Sequence, residues 1–184
     1  MTTLDPAKLA SFRRGERESP QFFSKFGRAP ELRGCKVLDV GCGLGSLSLY
    51  IAAQRARSVI GIDINEEVVE FAAENLAKNY PQFNQVCEFR CTDISALPEH
   101  DFDIIVSKDT FEHIIGLETC LQNIAERLKL GGRLFLGFGP LYNSVFGDHG
   151  WTGVPRVIPW GHVIIPKKIL IRILNRDPEL RMVW

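Results

Sequence analysis

The sequence has no net charge, no long apolar run and no cysteine framework, and each absence removes a class of function. Lysine plus arginine and aspartate plus glutamate both number 22 in 184 residues, so no overall field draws the chain to nucleic acid or to an anionic membrane. No apolar stretch approaches the roughly 20 residues that cross a bilayer. The opening Met1-Thr2-Thr3-Leu4-Asp5-Pro6 has neither the basic nor the apolar region of a secretion signal. These absences predict a cytoplasmic protein without a nucleic-acid or membrane partner. The five cysteines are odd in number and sit mostly among apolar neighbours, which fits reduced thiols. Cys87 and Cys91 fall in a predicted strand, where four residues of rise separate them by roughly 13 Å, too far to share one zinc. No metal site is expected, and no internal repeat or low-complexity segment is visible.

What is present begins with a short apolar run that stops abruptly in glycine: Lys36-Val37-Leu38-Asp39-Val40-Gly41-Cys42-Gly43-Leu44-Gly45. Such a run reads as a buried parallel strand. Its glycines let a turn bring backbone amides within contact distance of a ligand. A helix predicted over 46–54 aims its free N-terminal amides at the same place.

The rest of the chain, 45% hydrophobic and 24% charged, suits a single domain over 1–184. Residues 1–33, polar and basic around Phe12, Phe22, Phe23 and Phe26, predict a helical cap of one or two short helices packed across the domain; a flap over the ligand is the alternative. A second strand is predicted over 58–63. Asn65 then caps a helix with Glu66 and Glu67 in its first turn, and Val68, Ala72 and Leu76, beside Val69 and Ala73, mark its buried face to about Asn79. Strands follow over 86–91 and 103–106. Leu117, Leu121, Ile124 and Leu128 mark an amphipathic helix closed by Gly131 and Gly132, and a fifth strand covers 133–138. This alternation predicts an α/β fold: a Rossmann-like, doubly wound parallel sheet of about five strands flanked by helices, with its core at 34–139. Residues 140–184 differ. Tyr142, Phe146, Trp151 and Trp160, interrupted by Pro140, Pro155 and Pro159, form an irregular segment that reads as a lid or as a local packing cluster. A helix carrying Ile169, Leu170, Ile173 and Leu174 starts at Pro166.

Three acids stand at corresponding places: Asp39 in the first strand, Asp63 at the end of the second and Asp93 after the third. Carboxyl ends of parallel strands line one edge, so these acids and the glycine turn face one crevice. Asp63 is placed to accept from both hydroxyls of a ribose and Asp93 from an exocyclic amine, with Ile64 and Ile94 on either side of a flat base. With Gly61-Ile62-Asp63, Thr92-Asp93-Ile94, Phe102-Asp103-Ile104-Ile105 and Phe111-Glu112-His113-Ile114 added to the glycine run, the sequence over about 32–138 resembles the class I S-adenosylmethionine-dependent methyltransferases, particularly their small-molecule group. The resemblance implies S-adenosylmethionine as cofactor. It places Gly41 and Gly43 at the methionine part, Asp63 at the ribose, Asp93 at the adenine amine and Ser107 beside the sulfonium, with Asp39 ordering the turn. A nicotinamide-binding domain is the rival reading, but its fingerprint needs glycine or alanine where this chain has Ser46 and has no need of Asp39.

The resemblance implies methyl transfer to the oxygen, nitrogen or carbon of a small-molecule acceptor. The alternatives are a non-catalytic cofactor-binding module and, behind it, an NAD(P)-dependent oxidoreductase. A sulfonium methyl is already activated, so the protein mainly aligns the acceptor and excludes water. A hydroxyl acceptor also needs a base near neutral pKa, which points to His149 and His162 in the aromatic segment as catalytic residues. His113 reads as a brace for the cofactor loop, His100 as a turn residue and Lys108-Asp109 as a solvated loop. The chain lacks an Asn-Pro-Pro-Tyr or Asp-Pro-Pro-Tyr run, which disfavours amino-methylation of nucleic-acid bases. The family sheet normally closes with an antiparallel hairpin, yet 45 residues follow Gly139, and prolines at 155 and 159 argue against central strands there. A shortened or truncated member without that hairpin is expected, its cofactor binding less affected than its catalysis.

Overall fold

Val37, Leu38, Ile104 and Ile105 are buried on neighbouring strands, and side chains that alternate between two faces can all be buried only if both faces are covered. The computed structural model, which describes residues 4–137 together with Trp160 and Ile164, shows what covers them. The elements run α1 (Pro6–Ser24), β1 (Lys36–Val40), α2 (Ser46–Ala53), β2 (Ser58–Asp63), α3 (Glu66–Asn79), β3 (Cys87–Cys91), β4 (Phe102–Lys108), α4 (Leu117–Arg127) and β5 (Leu128–Gly137). Among the described residues the sheet has five strands in the order β3-β2-β1-β4-β5, and every neighbouring pair is parallel. This is the Rossmann-like arrangement expected from the sequence. The chain divides into two compact units, Met1–Gly137 and Phe138–Trp184. The candidate bases His149 and His162, the aromatic segment apart from Trp160, the place of the closing hairpin apart from Ile164 and the helix from Pro166 lie outside the described residues.

Alternation along the strands sorts the core into two layers. Val37, Val59, Ile104 and Val106 pack with Phe12 and Phe23 of α1, Leu47 and Ile51 of α2, and Phe71 and Leu76 of α3. Leu38, Val40, Ile60, Ile62 and Ile105 pack on the other side with Phe111 and with Cys120 and Ile124 of α4. Strand order reverses between β1 and β4, and chains leaving on opposite faces there open a crevice at the carboxyl edge.

Several details differ from the sequence reading. The N-terminal cap is one helix of 19 residues rather than one or two short ones. Asp5 caps it by accepting from the amides of Ala7 and Lys8, with Pro6 in the first turn where its missing N–H costs nothing. Gly15 and Pro20 lower helix propensity, but packing outweighs it. Phe12 reaches Phe71 and Tyr80 with ring centroids 6.5 and 5.7 Å away, and Phe23 reaches Phe135 at 5.8 Å. Gly15 lets α1 press against Ser46, whose Cβ would stand 3.1 Å from any added Cβ.

The buried face of α3 is Val69, Phe71, Ala72, Asn75 and Leu76, and Ala73 is exposed. On α4 the buried residues are Cys120, Ile124 and Arg127, while Leu117 and Leu121 are exposed. That helix stops at Arg127 and Leu128 already belongs to β5, which pairs Leu128 with Phe102 and then jumps to Arg133 against Ile104. The intervening residues bulge out through Gly131 at φ +81°.

If α1 is an integral layer, Phe12→Ala should lower the unfolding free energy by about 3–5 kcal/mol, read from urea denaturation. The exposed Arg14→Ala should stay within about 0.5 kcal/mol of wild type. Equal, small effects from both would mean that α1 is not part of the cooperative core.

Candidate functional site

A cleft of about 900 Å³ opens at the strand-order reversal, within the usual size range of small-molecule sites. It is lined by Asp39, Gly41 and Gly43 from β1 and its turn, Asp63 and Ile64 from the end of β2, Asp93 and Ile94 after β3, Lys108, Asp109 and Thr110 after β4, and Thr119, Cys120 and Asn123 of α4. Of the eight residues expected around the cofactor, seven meet here. Ser107 does not line the cleft. Strand β4 runs on to Lys108, beyond its predicted end, so Ser107 is still inside the sheet. Its side chain is buried and its hydroxyl donates to the Val40 carbonyl at 2.7 Å, cross-linking β4 to β1.

The glycine turn holds a second correction. Its amides were expected to face a ligand, but those of Gly41 and Cys42 both donate to the Ile62 carbonyl, at 2.8 and 2.9 Å, and that of Gly45 donates to the Cys42 carbonyl at 2.9 Å. The Gly43 amide donates to Asp63 Oδ2 at 2.9 Å. The turn is tied to β2 and offers close approach instead of free donors. A Cβ on Gly41 would lie 2.7 Å from Thr110 Cβ, and one on Gly45 would lie 2.5 Å from the Phe89 ring. Gly43 differs: at φ +50°, its chain neighbours aside, no heavy atom of the described residues lies within 4 Å of its Cβ position. Because Gly43 lines the cleft, that open space admits a ligand against bare backbone.

Asp63 accepts from Gly43 through Oδ2 and from the Asn65 amide, at 3.0 Å, through Oδ1. Each oxygen keeps a further lone pair for a hydroxyl. Asp93 Oδ1 accepts from the Ser95 amide at 2.8 Å, and hydrogen bonding from Ser95 holds its carboxyl below the ordinary range. Ile94 is buried in the core while Ile64 is 78% exposed, so the gap between them has one anchored wall and one open wall.

Asp39 is 1% exposed, and its Oδ2 accepts from the Ser48 hydroxyl at 2.6 Å. Burial pushes its carboxyl up to about 7; the nearby Asp63 charge adds to this, and the Ser48 bond and Lys108 oppose it.

No sequence motif marks Thr110, whose hydroxyl reaches the Gly41 carbonyl at 3.3 Å and the Lys108 carbonyl at 3.1 Å. Lys108 is not the solvated loop residue that its sequence suggests: its Nζ pairs with Glu18 of α1 at 3.0 Å. His113 lines the cleft, whereas His100 sits against the Glu126 carbonyl at 3.1 Å. Among the described residues no cluster of three or more His, Cys, Asp or Glu is placed to hold a metal, and no helix is long and apolar enough to cross a membrane.

Comparison with known proteins points the same way as this geometry. A family profile described as "Methyltransferase domain" matches residues 31–137. The chain is 32% identical to phosphoethanolamine N-methyltransferase 1 of Zea mays over 124 residues, which are 66% of this chain and 23% of that protein. It is 36% identical to the ubiquinone biosynthesis O-methyltransferase of Coxiella burnetii over 107 residues, 56% of this chain and 43% of the relative. The chain thus spans less than half the length of these curated relatives. Among solved structures, the magnesium protoporphyrin IX methyltransferase of Synechocystis with bound S-adenosylmethionine superposes with a TM-score of 0.55 at 24% identity, covering 73% of this chain and 61% of that one.

The elevated Asp39 carboxyl has a measurable consequence. Between about pH 4 and about pH 7 the folded protein keeps a proton that the unfolded chain, with a carboxyl near 3.8, has released. Stability carried by Asp39 is therefore full below that window and falls as pH rises through it, by at most about 1.4 kcal/mol per pH unit. Asp39→Asn stays neutral and still accepts from Ser48, so urea unfolding should show its advantage over wild type growing from about pH 4 to about pH 7. A difference that stays flat across the window would refute this protonation.

Proposed function

Because the chain belongs to the class I S-adenosylmethionine-dependent methyltransferases, we propose that it transfers a methyl group from S-adenosylmethionine to a small-molecule acceptor, and that the cleft between the ends of β1 and β4 is the site. The observation that carries this reading is the convergence of an open glycine backbone at Gly43, two carboxylates at Asp63 and Asp93, and apolar walls at Ile64 and Ile94 on one cleft. That set matches a nucleoside joined to an amino acid. Asp63 would accept from the ribose hydroxyls and Asp93 from the adenine amine, Ile64 and Ile94 would flank the base, and Gly41 and Gly43 would leave room for the methionine part. S-adenosylmethionine, when bound, supplies a methyl already activated by its sulfonium.

The protein's remaining tasks are alignment and exclusion of water. Asp39 serves by holding the turn to α2 through Ser48. Lys108, Asp109, Thr110 and His113 line the cleft on the β4 side and would face the acceptor. Two of the relatives are named for N- and O-methylation of small molecules, which supports that acceptor class and leaves the acceptor atom open; the balanced charge of the chain does not favour nucleic acid. Where the acceptor is a hydroxyl, His149 and His162 remain the proposed bases, and His113 joins them by its place in the cleft.

The test is incubation with methyl-labelled S-adenosylmethionine and a panel of phenols and amines. Label in an acceptor with matching release of S-adenosylhomocysteine is the expected result. Tight binding of S-adenosylhomocysteine without transfer to any acceptor would replace the enzyme by a cofactor-holding module. Binding of NAD in its place would return the rival reading. Asp63→Ala should weaken S-adenosylhomocysteine by about 1.5–3 kcal/mol, roughly 10- to 150-fold, in calorimetric titration; unchanged affinity would displace the ribose site.

A further inference from the structure

Arg127 is 5% exposed, and burying a guanidinium is unfavourable unless its N–H groups are paired. Here the partners are mainly carbonyls. Nε and Nη2 donate to the Leu97 carbonyl at 3.2 and 2.8 Å, Nη2 also to the Ser95 carbonyl at 3.1 Å, and Nη1 to the Asn123 carbonyl and Oδ1 at 3.1 and 3.2 Å. Two of the three residues so bound, Ser95 and Leu97, belong to the segment after β3 that carries Asp93 and Ile94.

That segment is held by burial of Ile94 and Leu97 in the core and by polar ties. Among the described residues strand β3 is at the edge of the sheet, so the chain leaving it has a strand neighbour there on one side. At its start the Thr92 amide donates to the Asp63 carbonyl at 3.0 Å. The bonds that shape its middle are internal: Ala96 amide to Asp93 carbonyl, Leu97 amide to Ile94 carbonyl, and Ser95 amide to Asp93 Oδ1. Arg127 then fastens the Ser95 and Leu97 carbonyls, and beyond them Arg90 holds the Glu99 carboxylate and Lys36 the His100 carbonyl. The planar fork of arginine suits this task, since one rigid group reaches several carbonyls at once. The Arg127 guanidinium also holds Oδ1 of Asn123, a residue that lines the cleft.

We infer that Arg127 is a positioning residue for base recognition: by tying the Ser95 and Leu97 carbonyls to α4, it sets Asp93 and Ile94 at the cleft wall and makes the site selective for a 6-amino purine. This rests on the reading of Asp93 as the partner of the adenine amine. Arg127 touches no ligand in this account; it acts through the segment it holds.

The test compares the affinity of S-adenosylhomocysteine with that of S-inosylhomocysteine, in which a 6-oxo group replaces the amine and turns an acceptor toward Asp93. Calorimetric titration uses the full chain as wild type, Arg127→Met and Arg127→Lys, with thermal midpoints measured alongside. Wild type should prefer the adenosyl compound at least about tenfold. That preference should fall to about twofold or less in Arg127→Met and to an intermediate value in Arg127→Lys, which keeps the charge but not the fork. A merely structural arginine would lower the melting temperature and weaken both compounds alike, leaving their ratio as in wild type, and that result would overturn the inference while Asp93 kept its role. No preference in wild type would remove the Asp93 reading and the inference with it. Should Arg127→Met fail to fold, the ratio in Arg127→Lys decides by the same criterion.

Discussion

The attachment of the turn after β1 to the end of β2 is the constraint on which the rest of the site depends. The Ile62 carbonyl receives two amides, from Gly41 and Cys42, and the Asp63 carboxylate receives a third, from Gly43. These bonds fix where the backbone opens beside Gly43 and how the Asp63 oxygens are aimed. They also lie at the parallel junction of β1 with β2, where Val40 stands opposite Ile62. The carboxylate that would hold a ribose is thus oriented by the strand end that carries it and by the turn that faces it. A site built this way is organised before a ligand arrives, and ordering it adds little to the cost of binding.

A second buried attachment sits beneath the first. Asp39 belongs to β1, Ser48 to α2, and their 2.6 Å hydrogen bond joins strand to helix below the cleft. An acid in so dry a place is tolerated because it can keep its proton, and its elevated carboxyl expresses the resulting balance between desolvation and the Ser48 bond. On the same face of the sheet, Gly61 leaves room for the Ser48 hydroxyl, which would stand 2.9 Å from any Cβ added there. Asp39, Ser48 and Gly61 form one packing unit.

Much of the sheet, and which strand ends meet at the cleft, was legible in the sequence, because both rest on local rules. Apolar strands ending in acids, a glycine turn and the Asn65 cap, which accepts from Glu67 at 3.0 Å, are encoded by neighbours in the chain. What was not legible depends on distant partners. Nothing near Phe12 reveals that Phe71 and Tyr80 await it, so the length of α1 could not be foreseen. The misplacement of Ser107 came from a strand end set by pairing with β5, where Lys108 still stands opposite Gly137. The partners of the Gly41, Cys42 and Gly43 amides lie on β2, some 20 residues further on, out of reach of local pattern. Arg127 was invisible for another reason: hydrophobic periodicity counts arginine as surface, and here a charged side chain takes a core position on α4 in place of Leu117 and Leu121.

The two halves of the cleft are held in different ways. On the β1–β2 side, ladder ends and paired amides fix the glycine turn and Asp63, with Ile64 left exposed. On the β4 side the lining follows a turn with Asp109 at φ +54° and Gly116 at φ +80°, and Ile115 is fully exposed. Aspartate and glycine tolerate the left-handed region better than other residues, and between them Phe111 is buried in the core and Thr110 reaches the Gly41 carbonyl. The exposed Ile115 can be exchanged with little effect on the sheet, whereas changes to the glycine turn or to Asp63 would disturb the junction of β1 with β2. In sheets of this kind the strand edge is the fixed part of a site, and variation is left to the loops around it.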